Sequence, residues 1–228
     1  MLYTLFQAEV AAEAVAQADL DFSLIQMAMK GGWLMLPLLA LSVVTIYLFV
    51  MKWWAIRKAK NVNPAFLHKI GEYLKQNRTV EAMELCQNEE TPIARLVEKG
   101  VERCNRPLQD IQTAVENVGN MEVARLEKGL PMLATIAGGA PMIGFLGTVM
   151  GMVQAFFNMA QAGSNIDITL LSGGIYTAMV TTVAGLTVGI MAYFGYNFLT
   201  SQVSDVVFKM QNTTVEFMDM LQEPSAKK

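Results

Sequence analysis

The chain has 228 residues and a formal net charge of −3, and is 53% hydrophobic with only 16% charged residues. Its mean hydropathy is +0.34, which is more apolar than an ordinary soluble domain. The net charge says nothing useful about nucleic acid, and nothing in the sequence supports it as a partner.

The few charges are segregated. Apart from tyrosine, no ionisable residue occurs from Gly31 to Met51, from Gly129 to Ile166, or from Ile168 to Ser204. Each stretch matches or exceeds the ~20 apolar residues that an α-helix needs to cross the hydrocarbon layer. A soluble all-α bundle would interrupt its helices with polar stripes, and these stretches have none. The expected fold is an all-α membrane protein with three transmembrane helices and long cytoplasmic helical extensions. No strand is needed.

The chain divides as follows. Residues 1–30 form an extracytoplasmic amphipathic segment, 31–52 the first transmembrane helix, and 53–128 a cytoplasmic helical domain. The second transmembrane helix is placed at 129–159, an extracytoplasmic turn at 160–167, and the third transmembrane helix at 168–199. Residues 200–228 are a cytoplasmic C-terminal helix and tail. In the first segment Phe22, Ile25 and Met29 fall at helical spacing, which suits a short helix lying on the lipid bilayer. MLYTLFQAEV has no basic start and too short an apolar run for a cleavable signal peptide.

After the first span comes KWWAIRKAK, with Lys52, Arg57, Lys58 and Lys60 and no acid. Trp53 and Trp54 suit the headgroup layer, and the excess of positive charge puts this side in the cytoplasm. The N-terminus is then outside and the C-terminus inside. In the segment that follows, Asn63-Pro64 predicts a helix start, Thr79 a second and Thr91-Pro92 a third. From Pro107 a helical pattern runs on into the second span. Past residue 200, Val203, Val206, Val207, Met210, Phe217 and Leu221 make an apolar stripe. Cys86 and Cys104 are 18 residues apart with only His68 nearby. They are expected to be reduced, structural thiols and no metal site.

The second and third spans share a design. At about 100° per residue, Gly174, Ala178, Thr181, Thr182, Gly185 and Gly189 fall on one face of the third span, with Thr177 at its edge. In the second, Ala137, Ala140, Gly144, Gly147, Gly151 and Ala155 share a face, with Thr148 at its margin. Small faces let helices approach closely in lipid, so Gly144, Gly147, Gly151, Gly185 and Gly189 are read as packing residues. Thr148, Thr181 and Thr182 sit deep in their spans and carry hydroxyls. Two readings stand for them: simple interhelical bonding, or a polar path that holds water or a cation.

The run LPMLATIAGGAPMIGFLGTVMGMVQAF, followed by GIYTAMVTTVAGLTVGIMAYFGYN, resembles the MotA/TolQ/ExbB family of ion-driven motor stators. Three spans and an extended outer N-terminal segment look more like the ExbB/TolQ branch, with ExbB nearer than TolQ. The resemblance implies a homopentamer enclosing a central pore, in which a dimer of an ExbD-like single-span protein sits. It implies use of the proton motive force at the bacterial inner membrane, with a TonB-like protein carrying the work to outer-membrane transporters. A TolQ-like or gliding-motility stator and a purely structural scaffold are the alternatives. An enzyme or a secondary transporter is disfavoured, because the spans hold no His, Cys, Asp or Glu; no cofactor or metal is expected.

Carried over by motif, Thr148 of the GTV motif and Thr182 would line the pore, with Thr181 and Thr177 on the same ion path. Many relatives have glutamate where this chain has Thr177, so the proton-accepting acid is expected on the partner's helix. Thr181 stands where many proton-using relatives have alanine; a doubled threonine is similar to sodium-driven stators. The proton is the expected ion, with sodium as the alternative.

Overall fold

The computed structural model describes residues 31–60, 65–162 and 168–222. The expected amphipathic segment, the Asn63-Pro64 start and most of the outer turn lie outside the described residues. Among those described, seven α-helices follow one another: α1 Met35–Lys60, α2 Phe66–Lys75, α3 Thr79–Asn88, α4 Pro92–Glu102, α5 Leu108–Glu127, α6 Leu130–Ala162 and α7 Ile168–Gln222. No strand is present among the described residues, and three helical stretches are long and apolar enough to cross a membrane. The fold is all-α, as expected. Two compact units emerge, the described residues of Met1–Val43 with Ile136–Ile190, and those of Val44–Thr135 with Met191–Lys228.

In the second unit the local signals explain the short helices. Thr91 caps α4 by accepting a hydrogen bond from Ala94 N at 3.2 Å, and Pro92 fills the first helical position, where no N–H is needed. Asn77, at φ 60°, closes α2 in a left-handed turn. Arg78 N donates to Tyr73 O at 2.8 Å and Asn77 N to Leu74 O at 3.0 Å, the Schellman pattern that occupies a helix's last carbonyls. Ile70, Ala82, Val97, Val101 and Val115 are fully or almost fully buried and form the core with Val203, Val206, Met210 and Phe217 of the C-terminal stripe. The Phe217 ring lies on Gly100, where any Cβ would strike it.

The expected continuous helix from Pro107 into the second span is broken. α5 ends at Glu127 and α6 begins at Leu130 because Gly129 takes φ +95°, a conformation that side chains disfavour. Lys52 of α1 is buried, and its ammonium donates to Arg125 O at 3.2 Å and Leu126 O at 3.4 Å. These carbonyls lack helical partners at a helix C-terminus, where a cation is favoured. Nearby, the buried Glu122 carboxylate accepts from Arg95 at 2.7 Å and Arg125 at 2.8 Å, so its charge is paired on both sides.

The first unit is built differently. Many of its large side chains, among them Phe145, Val153, Met179 and Ile190, face outward; Leu38 and Ile136 are buried, and Ala140, Ala155 and Ala178 are the small residues buried where α6 and α7 meet. In water such an apolar exterior would be a liability. In lipid it is the required arrangement, and close backbone packing supplies the cohesion.

Candidate functional site

The small faces of α6 and α7 meet as antiparallel neighbours. A Cβ added at Gly185 would lie 2.6 Å from Ala140 O and 2.8 Å from Gly144 Cα, and one at Gly151 would lie 2.8 Å from Ala178 Cβ. Gly174 meets Ala155, and Gly189 meets the ring of Pro141 and Ala137 O. Pro141 lacks the N–H that would bond this carbonyl within α6. Gly144, Gly147, Gly151, Gly185 and Gly189 all lie in this seam. Each leaves space that another helix's backbone or a small side chain fills.

Within the seam the threonines separate into distinct environments. Thr148 and Thr182 are half-buried, and their hydroxyl oxygens lie 2.5 Å apart across the two helices. Gly144 O is 3.0 Å from Thr182 Oγ1 and 3.3 Å from Thr148 Oγ1. Each hydroxyl has one hydrogen to give. Two arrangements therefore satisfy the trio. Either Thr182 donates to Gly144 O while Thr148 donates to Thr182, or Thr148 donates to Gly144 O while Thr182 donates to Thr148. The three oxygens form a small polar node in which either pattern pairs both hydroxyl hydrogens. Helical-wheel placement carries no signal for a carbonyl acceptor, so Gly144 reads from sequence as packing alone.

Thr181, expected alongside them, is only 2% exposed. Its hydroxyl donates to Ala178 O at 2.8 Å, and its side chain fills the notch at Gly147. Thr177 is half-buried and, together with Thr181, Gly147, Gln154 and Gly174, lines a cavity of about 310 Å³. The structure thus brings Thr148 and Thr182 together and leaves Thr177 and Thr181 apart from that pair.

The node is free of formal charge. No Asp, Glu, Lys, Arg or His occurs anywhere in α6, nor in α7 before Asp205. Away from the spans, burial and the Glu98 charge push the Cys86 thiol up to about 12. That keeps it a neutral core group, as a structural cysteine should be. Cys104 is partly exposed, and His68 sits on the surface 3.6 Å from Glu72.

Fold and site together define a multi-pass α-helical membrane protein whose glycine-faced helix pair carries hydroxyls and no charge. The model of the MotA/TolQ/ExbB proton channel family matches residues 88–212, and the chain belongs to that family. It is 25% identical over 190 residues to a putative biopolymer transport protein ExbB homolog of Methanothermobacter thermautotrophicus, covering 83% of this chain and 67% of the relative. It is 30% identical to the biopolymer transport protein ExbB of Neisseria meningitidis, covering 71% of this chain and 78% of that protein. A putative ExbB-like protein of Synechocystis is 28% identical over 76% of this chain and 69% of its own length.

Proposed function

We propose that this chain is an ExbB-like subunit of an inner-membrane motor that uses the proton motive force to energise TonB-dependent outer-membrane transport. Family membership supports the ion-conducting role, and the relatives named biopolymer transport protein support the transport role. The observation that carries the mechanism is the Thr148–Thr182 node in spans that contain no carboxylate. Hydroxyls bind and pass water or a proton without the penalty of a bare charge in the membrane. A proton also needs an acid that loads and releases it, and this chain has none there. That acid is supplied by an ExbD-like single-span partner, held as a dimer on the axis of a homopentamer of this chain. A TonB-like protein delivers the resulting movement. The N-terminus faces the periplasm and residues 53–128 face the cytoplasm, in keeping with Arg57, Lys58 and Lys60.

A second reading has one observation in its favour: the two hydroxyls satisfy one another within a single chain, as purely structural threonines would. Thr148→Val and Thr182→Val separate the two readings, because valine keeps the shape and removes the hydroxyl. On the conducting reading each variant assembles normally and uptake of iron complexes or vitamins fails. Normal uptake in either variant overturns that reading in favour of a scaffold.

A further inference from the structure

We infer that α1 and α7 hold one anionic phospholipid of the leaflet next to Trp53, with its acyl chain in an apolar groove between the two helices and its phosphate on Arg57. The site is separate from the threonine node, and the inference does not depend on the conducting reading.

The groove is the hydrocarbon half of the site. It has a volume of about 350 Å³ and is walled by Ile46 and Phe49 of α1 and by Met191, Phe194 and Phe198 of α7. The Phe49 and Phe198 rings lie 6.3 Å apart, and a Cβ added at Gly195 would come within 3.1 Å of the Phe49 ring. Ile46, Met191, Phe194 and Phe198 remain exposed, and Thr45, the one hydroxyl-bearing residue of the lining, is buried. Both helices are long and apolar enough to cross a membrane. A bilayer leaves no such furrow empty, because water finds few partners in it and a void forfeits dispersion contacts. A flexible hydrocarbon chain fills it without either cost.

The polar half follows along α1. At about 100° per residue, Ile46, Phe49, Trp53, Arg57 and Lys60 fall within an arc of about 80° on one face. Phe49 and Arg57 are about 12 Å apart along the helix axis, more than the ~5–8 Å depth of one interfacial layer. A lipid lying along this face therefore sets its chain at Phe49 and its phosphate at Arg57. Arg57 lines a cleft of about 1180 Å³ with Trp53, Trp54, Lys58 and Lys60. Its guanidinium lies 5.3 Å from the centre of the Trp53 ring. Lys58 is paired with Glu90 and Lys60 with Asp205, whereas Arg57 has no ion pair among the described residues. An arginine fork matches the oxygens of a phosphate and stacks on aromatic faces at the same time. Glu89 and Glu90 also line the cleft. Three bases against two acids leave it a positive excess, which favours a headgroup of net negative charge.

The test titrates the intact complex, stripped of lipid in detergent, with palmitoyl-oleoyl phosphatidylglycerol, with the matching phosphatidylethanolamine, and with glycerophosphoglycerol, the headgroup without chains. Native mass spectrometry reads the lipids bound per chain and their affinity. The parent is expected to bind one phosphatidylglycerol per chain about fivefold more tightly than phosphatidylethanolamine, and the chainless headgroup is expected not to displace it. Arg57→Gln should weaken phosphatidylglycerol about fivefold, the scale of one basic residue's attraction to an anionic lipid surface. Lys209→Gln, at an exposed base outside the cleft, should leave binding unchanged. Met191→Trp fills the groove with every charge in place and should weaken binding as well. Parent-like binding by Arg57→Gln, or equal weakening by Lys209→Gln, overturns the phosphate seat. Displacement by the chainless headgroup, or parent-like binding by an assembled Met191→Trp complex, overturns the acyl groove. Equal affinity for the two lipids overturns the choice of an anionic ligand. A complex that takes up no lipid gives the groove to a neighbouring copy of this chain and overturns the proposal outright.

Discussion

Gly185→Ala tests the seam most sharply, because every atom the new methyl group meets is backbone. Its Cβ would lie 2.6 Å from Ala140 O, 2.8 Å from Gly144 Cα and 3.0 Å from Gly144 N. Ordinary contact begins near 3.4 Å, and no flexible side chain is there to swing away. In a close-packed interior α6 and α7 must part locally by roughly 0.8 Å. Overpacking of this kind costs about 1–3 kcal/mol, against a helix-propensity gain for alanine of up to about 1 kcal/mol. The expected net loss is about 1–2 kcal/mol. The same separation pulls the Thr148 and Thr182 hydroxyls apart, so uptake should fall as well. The assay is thermal unfolding in detergent alongside uptake in cells, with Gly138→Ala as the control, since a Cβ there meets nothing within 4 Å. Equal stability and uptake for the two variants would refute the account of the seam.

The second unit yields further expectations, those on stability read by denaturant or thermal unfolding. Phe217→Ala should destabilise by about 3–5 kcal/mol, the range for a lost buried ring. Gly100→Ala should cost about 1–3 kcal/mol by pressing on that ring, so the two sites should show strong coupling in a double-mutant cycle. Thr91→Ala should cost about 1 kcal/mol through loss of the α4 cap. Cys86 should resist alkylation in the folded protein, while the partly exposed Cys104 reacts. The folded pKa of Cys86, about 12, lies above the ordinary 9.0. Above pH 9 the unfolded thiol loses its proton while the folded one keeps it. The stability difference between the parent and Cys86→Val is therefore constant below pH 9 and shifts against the parent as pH rises toward 12.

What could be read in advance follows from how local each signal is. Thr91-Pro92 announces a helix start because cap and proline act within one turn, and α4 begins there. The apolar stripe from Val203 to Phe217 was legible by its period, and the core receives it. The break at Gly129 was not, because the 3.6-residue pattern continues on both sides of it and one glycine is tolerated in a helix. What decides it includes Lys52, more than seventy positions away in sequence. The pairing of Glu122 with Arg95 was hidden for the same reason. In the seam, the glycine face was visible on a helical wheel. The different environments of Thr181 and Thr182 were not, since both fall within one arc and only the facing helix distinguishes them.

Lys52 is the linchpin of its joint. One flexible tether from α1 grips the end of α5 at the place where the backbone turns before α6. Because the grip is on two adjacent carbonyls, a shift of α1 along its axis would strain both hydrogen bonds together. Shortening the tether by a single methylene would draw the ammonium away from both carbonyls.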